Sequence, residues 1–329
     1  MTFQRIKPIG GEAEFHENTQ KALTQSGRFS LKLILENEEL RKHHFFIPDY
    51  ICSTIILMLE MYNIRYSFYK IKADLKPDWT SINQEIDVLY VINYFGQLTQ
   101  LPKSINAKTI LIIDDVFFPY PRIPTVPNPY FSFNSLRKIT SVADGSILLS
   151  NKKLPHKLVR PVAETNFTRL KYQAKSKKYE YINHNNDFNI QLEKDYLADF
   201  ERAELILDNQ EDITSISLNS QIGLFEFYIK IDDERKRRNE NYFILKNSLS
   251  DHIVNIESDF YSFAILKLPN AEKLKLKLME YKIYLPNHWP KMNLINNIST
   301  QWLSVPVDSR YNNEDMQRIV NTIKILTNE

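Results

Sequence analysis

The sequence has 329 residues, of which 43% are hydrophobic and 25% are charged, a composition typical of globular proteins. The net charge of +2 favours neither nucleic acid nor a membrane surface, and we expect neither as a partner. One cysteine excludes an internal disulfide, no apolar run reaches the length of a membrane span, and the first residues lack a signal-peptide core. These features predict a cytoplasmic protein.

Strand and helix patterns alternate in the first part of the chain. Helical spacing is found at about 17–23, 31–35 and 51–62, and apolar strands are expected at 45–48, 66–71, 88–92 and 110–113. This alternation predicts a parallel sheet with crossover helices. Five prolines predict an irregular loop over residues 117–130.

The rest of the chain is more polar. Residues 151–189 are basic and polar without a clear period, which predicts a long excursion that covers the active site or forms a dimer contact. Helices are expected at about 194–207, 217–249 and 271–281 and from 313 onward, with a strand at 263–268. The charged run 232–238 is interpreted as a solvated helix face rather than a nucleic-acid patch, because acids precede the bases by three to four residues.

The length of the chain predicts two domains, because a single core rarely grows to 329 residues. We place a large domain at residues 1–205. A linking helix and a small C-terminal domain follow at residues 206–329.

One lysine stands out by its position between two strands. An apolar run ends near residue 133, a small polar turn and Lys138 follow, and Asp144 and Gly145 open a second apolar run at 146–149. A lysine in such a place can be partly desolvated, which lowers its pKa and prepares the amine to attack a carbonyl. The alternative is a solvated loop lysine.

Two other stretches have the character of ligand sites. The strand at 110–113 runs directly into Asp114 and Asp115, and ligands of alternating folds bind at the carboxyl ends of parallel strands. Ser26 and Gly27 precede a helical pattern, where free backbone N–H groups and the helix dipole favour a phosphate. An ordinary serine N-cap is the alternative.

Taken together, the order apolar strand, Asp, aromatic-rich loop, Ser-Phe, Lys and Gly resembles the pyridoxal phosphate (PLP) enzymes of aminotransferase fold type I. It looks most like the sugar aminotransferase family called DegT/DnrJ/StrS. Further similar motifs are Ser26-Gly27-Arg28, residues 48–54, Asn93-Tyr94-Phe95-Gly96, and residues 283–290 and 303–311. The resemblance implies an α/β fold: a large domain with a mostly parallel central sheet flanked by helices, and a small C-terminal α/β domain.

The resemblance also implies roles for individual residues. Lys138 would form the Schiff base with PLP. Asp115 aligns best with the acid that contacts the pyridine nitrogen, and Asp114 is the alternative. Only one of the two can meet the ring, because adjacent strand residues point to opposite faces.

The phosphate of the cofactor would be held near the start of the helical pattern at 31–35. The resemblance assigns it to Ser132 together with Gly27 and Arg28. Because the spacing from Ser-Phe to the lysine is one residue longer here than in the family, Ser135 is an alternative to Ser132.

Other positions depart from the family pattern or are assigned by motif alone. Cys52 stands where many members stack an aromatic ring on the cofactor, with Tyr50 nearby as a substitute, and Asn93 stands where a histidine is common. His288 and Arg310 are candidate substrate contacts, with core packing and a structural ion pair as the respective alternatives. The histidines lack metal-ligand spacing, so no metal is expected.

The function implied is that of a PLP-dependent aminotransferase. It would transfer an amino group from glutamate or glutamine to a keto sugar, in nucleotide-linked form, and act as a homodimer. One alternative keeps PLP but changes the reaction, to dehydration of a sugar or to an amino-acid-like substrate. The other is a non-catalytic scaffold with the same fold.

Overall fold

The structure is a computed structural model that describes residues 19–183, 190–268, 270–289 and 302–327. Eight strands build its main sheet: β1 (Gln20–Thr24), β2 (Phe45–Pro48), β3 (Tyr66–Ile71), β4 (Pro77–Asp78), β5 (Val88–Ile92), β6 (Ile110–Asp115), β7 (Tyr130–Asn134) and β8 (Ser146–Ser150). Their order is β1-β8-β7-β6-β5-β2-β3-β4. The predicted mostly parallel central sheet is confirmed.

The five strands from β3 to β7 in that order are parallel, whereas β8 runs antiparallel to both β7 and β1. All five residues of β5 are buried, as expected for a strand covered on both faces. Since β1 and β7 are both antiparallel to β8, they share one direction, and their carboxyl ends lie at the same edge of the sheet as those of β5 and β6.

The helices are α1 (Gly27–Leu35) and α2 (Glu38–Arg41), which follow β1, α3 (Ser53–Met61), which follows β2, and α4 (Asn166–Asn183), α5 (Ile190–Asp208), α6 (Leu218–Ile229) and α7 (Ile231–Ser248), which follow β8. The C-terminal part contains β9 (Phe263–Lys267), α8 (Ala271–Glu280), β10 (Trp302–Pro306) and α9 (Asn313–Thr327). There β9 and β10 form an antiparallel pair. The strand at 263–268 and the helices at 271–281 and from 313 agree with the sequence prediction.

The described residues form two hydrophobic cores. The larger one surrounds the main sheet, and the second contains side chains from α7, β9, α8, β10 and α9 and begins in sequence at Tyr242. The predicted boundary after residue 205 falls inside α5, so α5 is continuous across it. The division into two domains stays a prediction.

Three sequence predictions were wrong in detail. Residues 20–23, predicted as helical, pair with β8 as an edge strand. The excursion at 151–189 contains the long helix α4, whose buried apolar residues Phe167, Ala174 and Tyr181 recur only once in seven positions. Such a narrow stripe is sufficient for packing against α5 but gives a weak periodic signal.

The third is the charged run 232–238, which was predicted to be a solvated helix face. Its last residue, Arg238, is buried, with only 2% exposed. Its guanidinium pairs with Glu234 at 2.6 Å and donates to the carbonyl oxygens of Ile139 and Tyr261 at 2.9 and 3.2 Å. The rest of the run is a helix face of α7, but Arg238 joins that helix to the loop after Lys138.

Gly96 lies in the turn after β5 with φ +91°, a left-handed conformation that glycine adopts readily. A Cβ there would lie 2.6 Å from Ser258 Oγ and 2.7 Å from the carbonyl oxygen of Phe260. We therefore expect Gly96→Ala to lower the free energy of unfolding by roughly 2–4 kcal/mol in denaturant titrations. The loss should persist in a Ser258→Ala background, because the Phe260 carbonyl remains. A change below about 0.5 kcal/mol would contradict the close approach.

Candidate active site

A cavity opens at the sheet edge where β1, β6 and β7 end. Its polar wall is contributed by Ser26, Gly27, Arg28, Cys52, Asp114, Ser135, Arg137 and Lys138, and Trp289 closes part of the apolar wall. These residues are far apart in sequence. The strands bring them together, because the carboxyl ends of parallel strands lie at one edge of the sheet. The sequence predicted a ligand site at this edge.

Lys138 is held at this edge by a short turn that follows β7. Leu136 N donates to the carbonyl oxygen of Gly145 at 2.9 Å, and Lys138 N donates to that of Ser135 at 3.1 Å. The ammonium lies 5.3 Å from the ring centroid of Phe117. Burial is the main cause that lowers the pKa of Lys138, and the charge of Arg137 lowers it further. A lysine in these surroundings has an enlarged neutral, nucleophilic fraction.

Asp114 and Asp115 point to opposite sides of β6, and only Asp114 lines the cavity with Lys138. Asp114 accepts a hydrogen bond from Tyr90 Oη at 2.8 Å, and its Oδ1 has no partner among the described residues. Burial raises the pKa of Asp114 to about 6, against the opposing effects of the Tyr90 hydrogen bond and the Lys138 charge.

Asp115, the acid preferred by the resemblance, lies away from the cavity in a dense set of donors. It accepts from Arg122 Nε at 2.8 Å, from Arg122 N at 2.7 Å and from Asn93 Nδ2 at 2.8 Å. Ser132 Oγ is 3.4 Å from the same carboxylate. Asp115, Asn93 and Ser132 therefore form one buried network that fixes the loop after β6.

The side of the cavity suited to an anion is the start of α1. Ser26 caps the helix, since its Oγ accepts from Phe29 N at 3.4 Å. Gly27 lets the helix approach β7, because a Cβ there would be 3.0 Å from the carbonyl oxygen of Asn134. Ser135, rather than Ser132, shares the cavity with Gly27 and Arg28.

The remaining predicted residues differ in their position. Cys52 lines the cavity as a free thiol at the start of α3. Tyr50 does not line it. Its ring stacks on Tyr94 at 5.4 Å between centroids and meets Trp289 edge-on at 5.0 Å, so it supports the cavity wall from behind.

His288 is buried among aromatic rings, with centroid distances of 4.7 Å to Phe263 and 4.9 Å to Phe117. Its Nδ1 is 2.8 Å from Ser304 Oγ. Burial lowers the pKa of His288 to about 3, and the nearby Lys138 charge acts in the same direction, so the imidazole is neutral at pH 7.

Arg310 forms the ion pair that the sequence left as its alternative. Its Nε and Nη2 lie 2.5 and 2.8 Å from the Asp308 oxygens, and its side chain is 63% exposed. Pro290, the last residue of the 283–290 motif, lies outside the described residues. Substrate roles for His288 and Arg310 stay predictions.

Arg137 lines the cavity, although the sequence analysis gave it no role. Arg137 directly precedes Lys138, and a charged neighbour of a candidate nucleophile was a signal in the sequence itself. Trp289, which belongs to the 283–290 motif, also lines the cavity, with φ +52° and ring contacts to Tyr50, Tyr94 and Phe95.

Across residues 19–183, 190–268, 270–289 and 302–327, no group of three or more His, Cys, Asp or Glu is arranged to hold a metal ion. Within the same ranges no helix has the length and apolarity needed to cross a membrane.

The two neighbouring aspartates allow a paired test of these environments. Asp114 has a raised pKa, so the folded state binds its proton more tightly and stability falls as pH rises from about 4 to about 6. Asp114→Asn should remove this penalty and raise the free energy of unfolding at pH 7.5 by up to about 3 kcal/mol. Asp115→Asn should lower it by roughly 3–5 kcal/mol, because Arg122 loses its buried partner. Denaturant titrations at pH 4 and 7.5 measure both, and equal effects of the two substitutions would contradict the assignment.

Comparison with known proteins gives similarity in structure alone. No protein-family model matches the sequence, and no curated protein is similar enough to match. Among solved structures, a DegT DnrJ EryC1 StrS aminotransferase from Brucella abortus is 12% identical with a TM-score of 0.58, over 93% of this chain and 85% of that chain.

Two further structures agree with it. S. venezuelae DesV, in complex with a ketimine intermediate, is 10% identical with a TM-score of 0.60, over 94% of this chain and 85% of that chain. The sugar aminotransferase CalS13 from Micromonospora echinospora is 12% identical with a TM-score of 0.57, over 93% and 87%. At such low identities the similarity establishes the fold, and it confirms the fold class predicted from the sequence. This protein has the fold of the DegT/DnrJ/EryC1/StrS aminotransferases.

Proposed function

We propose that this protein is a PLP-dependent aminotransferase that moves an amino group from glutamate or glutamine to a keto sugar, in nucleotide-linked form. The observation that carries the proposal is that Lys138 and Asp114 line one cavity. An amine of lowered pKa and a carboxylate with an unpartnered oxygen are the two side chains that such a cofactor requires. The fold and the sugar aminotransferases that share it are consistent with this reading.

The residues present fit the cofactor at both of its ends. The free Oδ1 of Asp114 would accept the pyridine N–H, and the charge of that ring would offset the cost of burying an ionised Asp114. At the opposite end, Ser26, Gly27, Arg28 and Ser135 would hold the phosphate. In this arrangement Asp114 takes the role that the motif alignment gave to Asp115, and Ser135 that of Ser132.

Bound at this site, PLP supplies an electron sink that stabilises negative charge on the substrate Cα. Lys138 would hold the cofactor through its amine and, once released, would take the proton from the substrate Cα and deliver it to the C4′ carbon of the cofactor. Its lowered pKa serves both tasks, because only the neutral amine can act as nucleophile or base. Trp289 and Ile92 on the apolar wall exclude water from the reacting atoms.

A homodimer is part of the proposal, as the resemblance implies. The exposed apolar residues on α6 are a candidate contact: Leu218, Ile222, Phe225 and Ile229 are all 54% exposed or more. Their spacing of four, three and four residues places them on one helix face. A cytoplasmic location stays a prediction.

The first test is covalent attachment of the cofactor. Purified protein incubated with PLP should acquire a visible absorbance band, and borohydride reduction should fix the cofactor to the peptide that contains Lys138, as read by mass spectrometry. Lys138→Ala should lose both signals. Lys152→Ala, which removes an exposed lysine after β8, should keep both. Wild-type protein that acquires neither band nor adduct would exclude the proposed chemistry and leave the scaffold alternative.

A second test separates the two aspartates by turnover. Asp114→Asn should still accept PLP but transfer amino groups about 100- to 1000-fold more slowly, because the ring loses its charged partner. An Asp115→Asn protein that folds should keep turnover within about tenfold of wild type, since its carboxylate contacts Arg122 and Asn93 rather than the cavity. The measurement is the half-reaction of PLP-loaded protein with glutamate. The reverse ranking would return the role to Asp115.

A further inference from the structure

Two arginines of the cavity wall are held by one helix. Arg28 pairs with Asp208, and Arg137 pairs with Glu204 through Nη1–Oε1 and Nη2–Oε2 distances of 2.8 and 3.3 Å. Glu204 and Asp208 are four residues apart on α5, so they lie on one face of that helix, a turn apart. The guanidiniums are largely buried, with side chains 21% and 16% exposed.

Each arginine has one hydrogen-bond donor that no described residue uses. The Nε of Arg28 and the Nε of Arg137 are buried and have no hydrogen-bond partner among the described residues. Buried donors without a partner are uncommon in proteins and call for an explanation such as a ligand. Here the two donors belong to side chains that line the same cavity, next to the start of α1.

The charges around the pair leave an excess of positive charge. Glu204 is shared between Arg137 and Lys171, so three cations, Arg28, Arg137 and Lys171, face two carboxylates. Lys171 is also covered by aromatic rings, with its ammonium 5.0 Å from the centroid of Phe200. An anion in the cavity would meet oriented donors and a favourable field at once.

We propose that Arg28 and Arg137 form a two-arginine clamp for the phosphate of the cofactor, with Glu204 and Asp208 as positioning residues that fix the guanidiniums from α5. The clamp rests on the proposed function. In this proposal Arg137, next to Lys138, binds the phosphate, and α5 holds the two arginines in position. The carboxylates contact the Nη groups, which leaves the Nε donors for the phosphate oxygens.

The test compares PLP with pyridoxal, which lacks the phosphate, and with inorganic phosphate. Affinities are measured by calorimetry on the full chain. Arg137→Ala should weaken PLP and phosphate binding by about 10- to 100-fold, the effect of losing a hydrogen bond to a charged group. Pyridoxal affinity should change less than about twofold. Arg137→Lys should restore part of the loss, and Glu204→Gln should fall between Arg137→Ala and wild type.

The matched control is Arg160→Ala, which also removes an arginine from an ion pair, with Asp212 at 2.7 Å, but this arginine is exposed and does not line the cavity. It should leave all three affinities unchanged. Thermal unfolding of each variant reports whether the fold is intact.

Two outcomes would overturn the clamp. In one, Arg137→Ala leaves PLP and phosphate affinity unchanged; in the other, it weakens pyridoxal as much as PLP, which indicates general damage to the site. Failure of the proposed function is recognised separately, because wild type would then show no cofactor adduct at Lys138. Failure of the clamp alone leaves that adduct intact.

Discussion

The candidate site depends on the geometry at the end of β6, where two adjacent carboxylates are buried on opposite faces of the sheet. Asp115 is fully buried among hydrogen-bond donors and forms an ion pair with Arg122. Asp114 accepts a hydrogen bond from the Tyr90 hydroxyl, and its Oδ1 has no partner among the described residues. Burying a carboxylate is costly unless it is paired or hydrogen-bonded. The protein itself satisfies Asp115, whereas Oδ1 of Asp114 can still accept a hydrogen bond from a ligand.

Sheet topology supplies the groups that surround Asp114. The antiparallel strand β8 lies between β1 and β7, and this returns β1 to the direction of the parallel strands. The start of α1 therefore reaches the same edge as Lys138. Behind this edge α5 contributes Glu204 and Asp208, which are 67 and 180 residues away in sequence from the arginines they contact. α5 is itself packed against α4, which holds these two carboxylates in position.

Sequence reasoning succeeded where one local property decides the structure. The strands at 45–48, 66–71 and 88–92 are short runs rich in aromatic and β-branched residues, and each was predicted with its bounds. It failed at residues 20–23, where pairing with β8 overrides a helical spacing, and at α4, where the apolar stripe is too narrow to be recognised. The motif alignment preferred Asp115, whereas Asp114 is the one that lines the cavity, because a motif does not record which face of a strand a side chain occupies. The role of either carboxylate stays a proposal.

The sequence by itself determined the alternating α/β class, the polar residues at the strand ends, and the placement of Lys138 between two strands, because these follow from local periodicity and turn chemistry. Only the tertiary structure decided which carboxylate shares a cavity with Lys138, that Ser135 rather than Ser132 lines it, and that Arg137 and Arg28 are held from α5. Such choices depend on contacts between residues that are distant in sequence, and local patterns do not encode them.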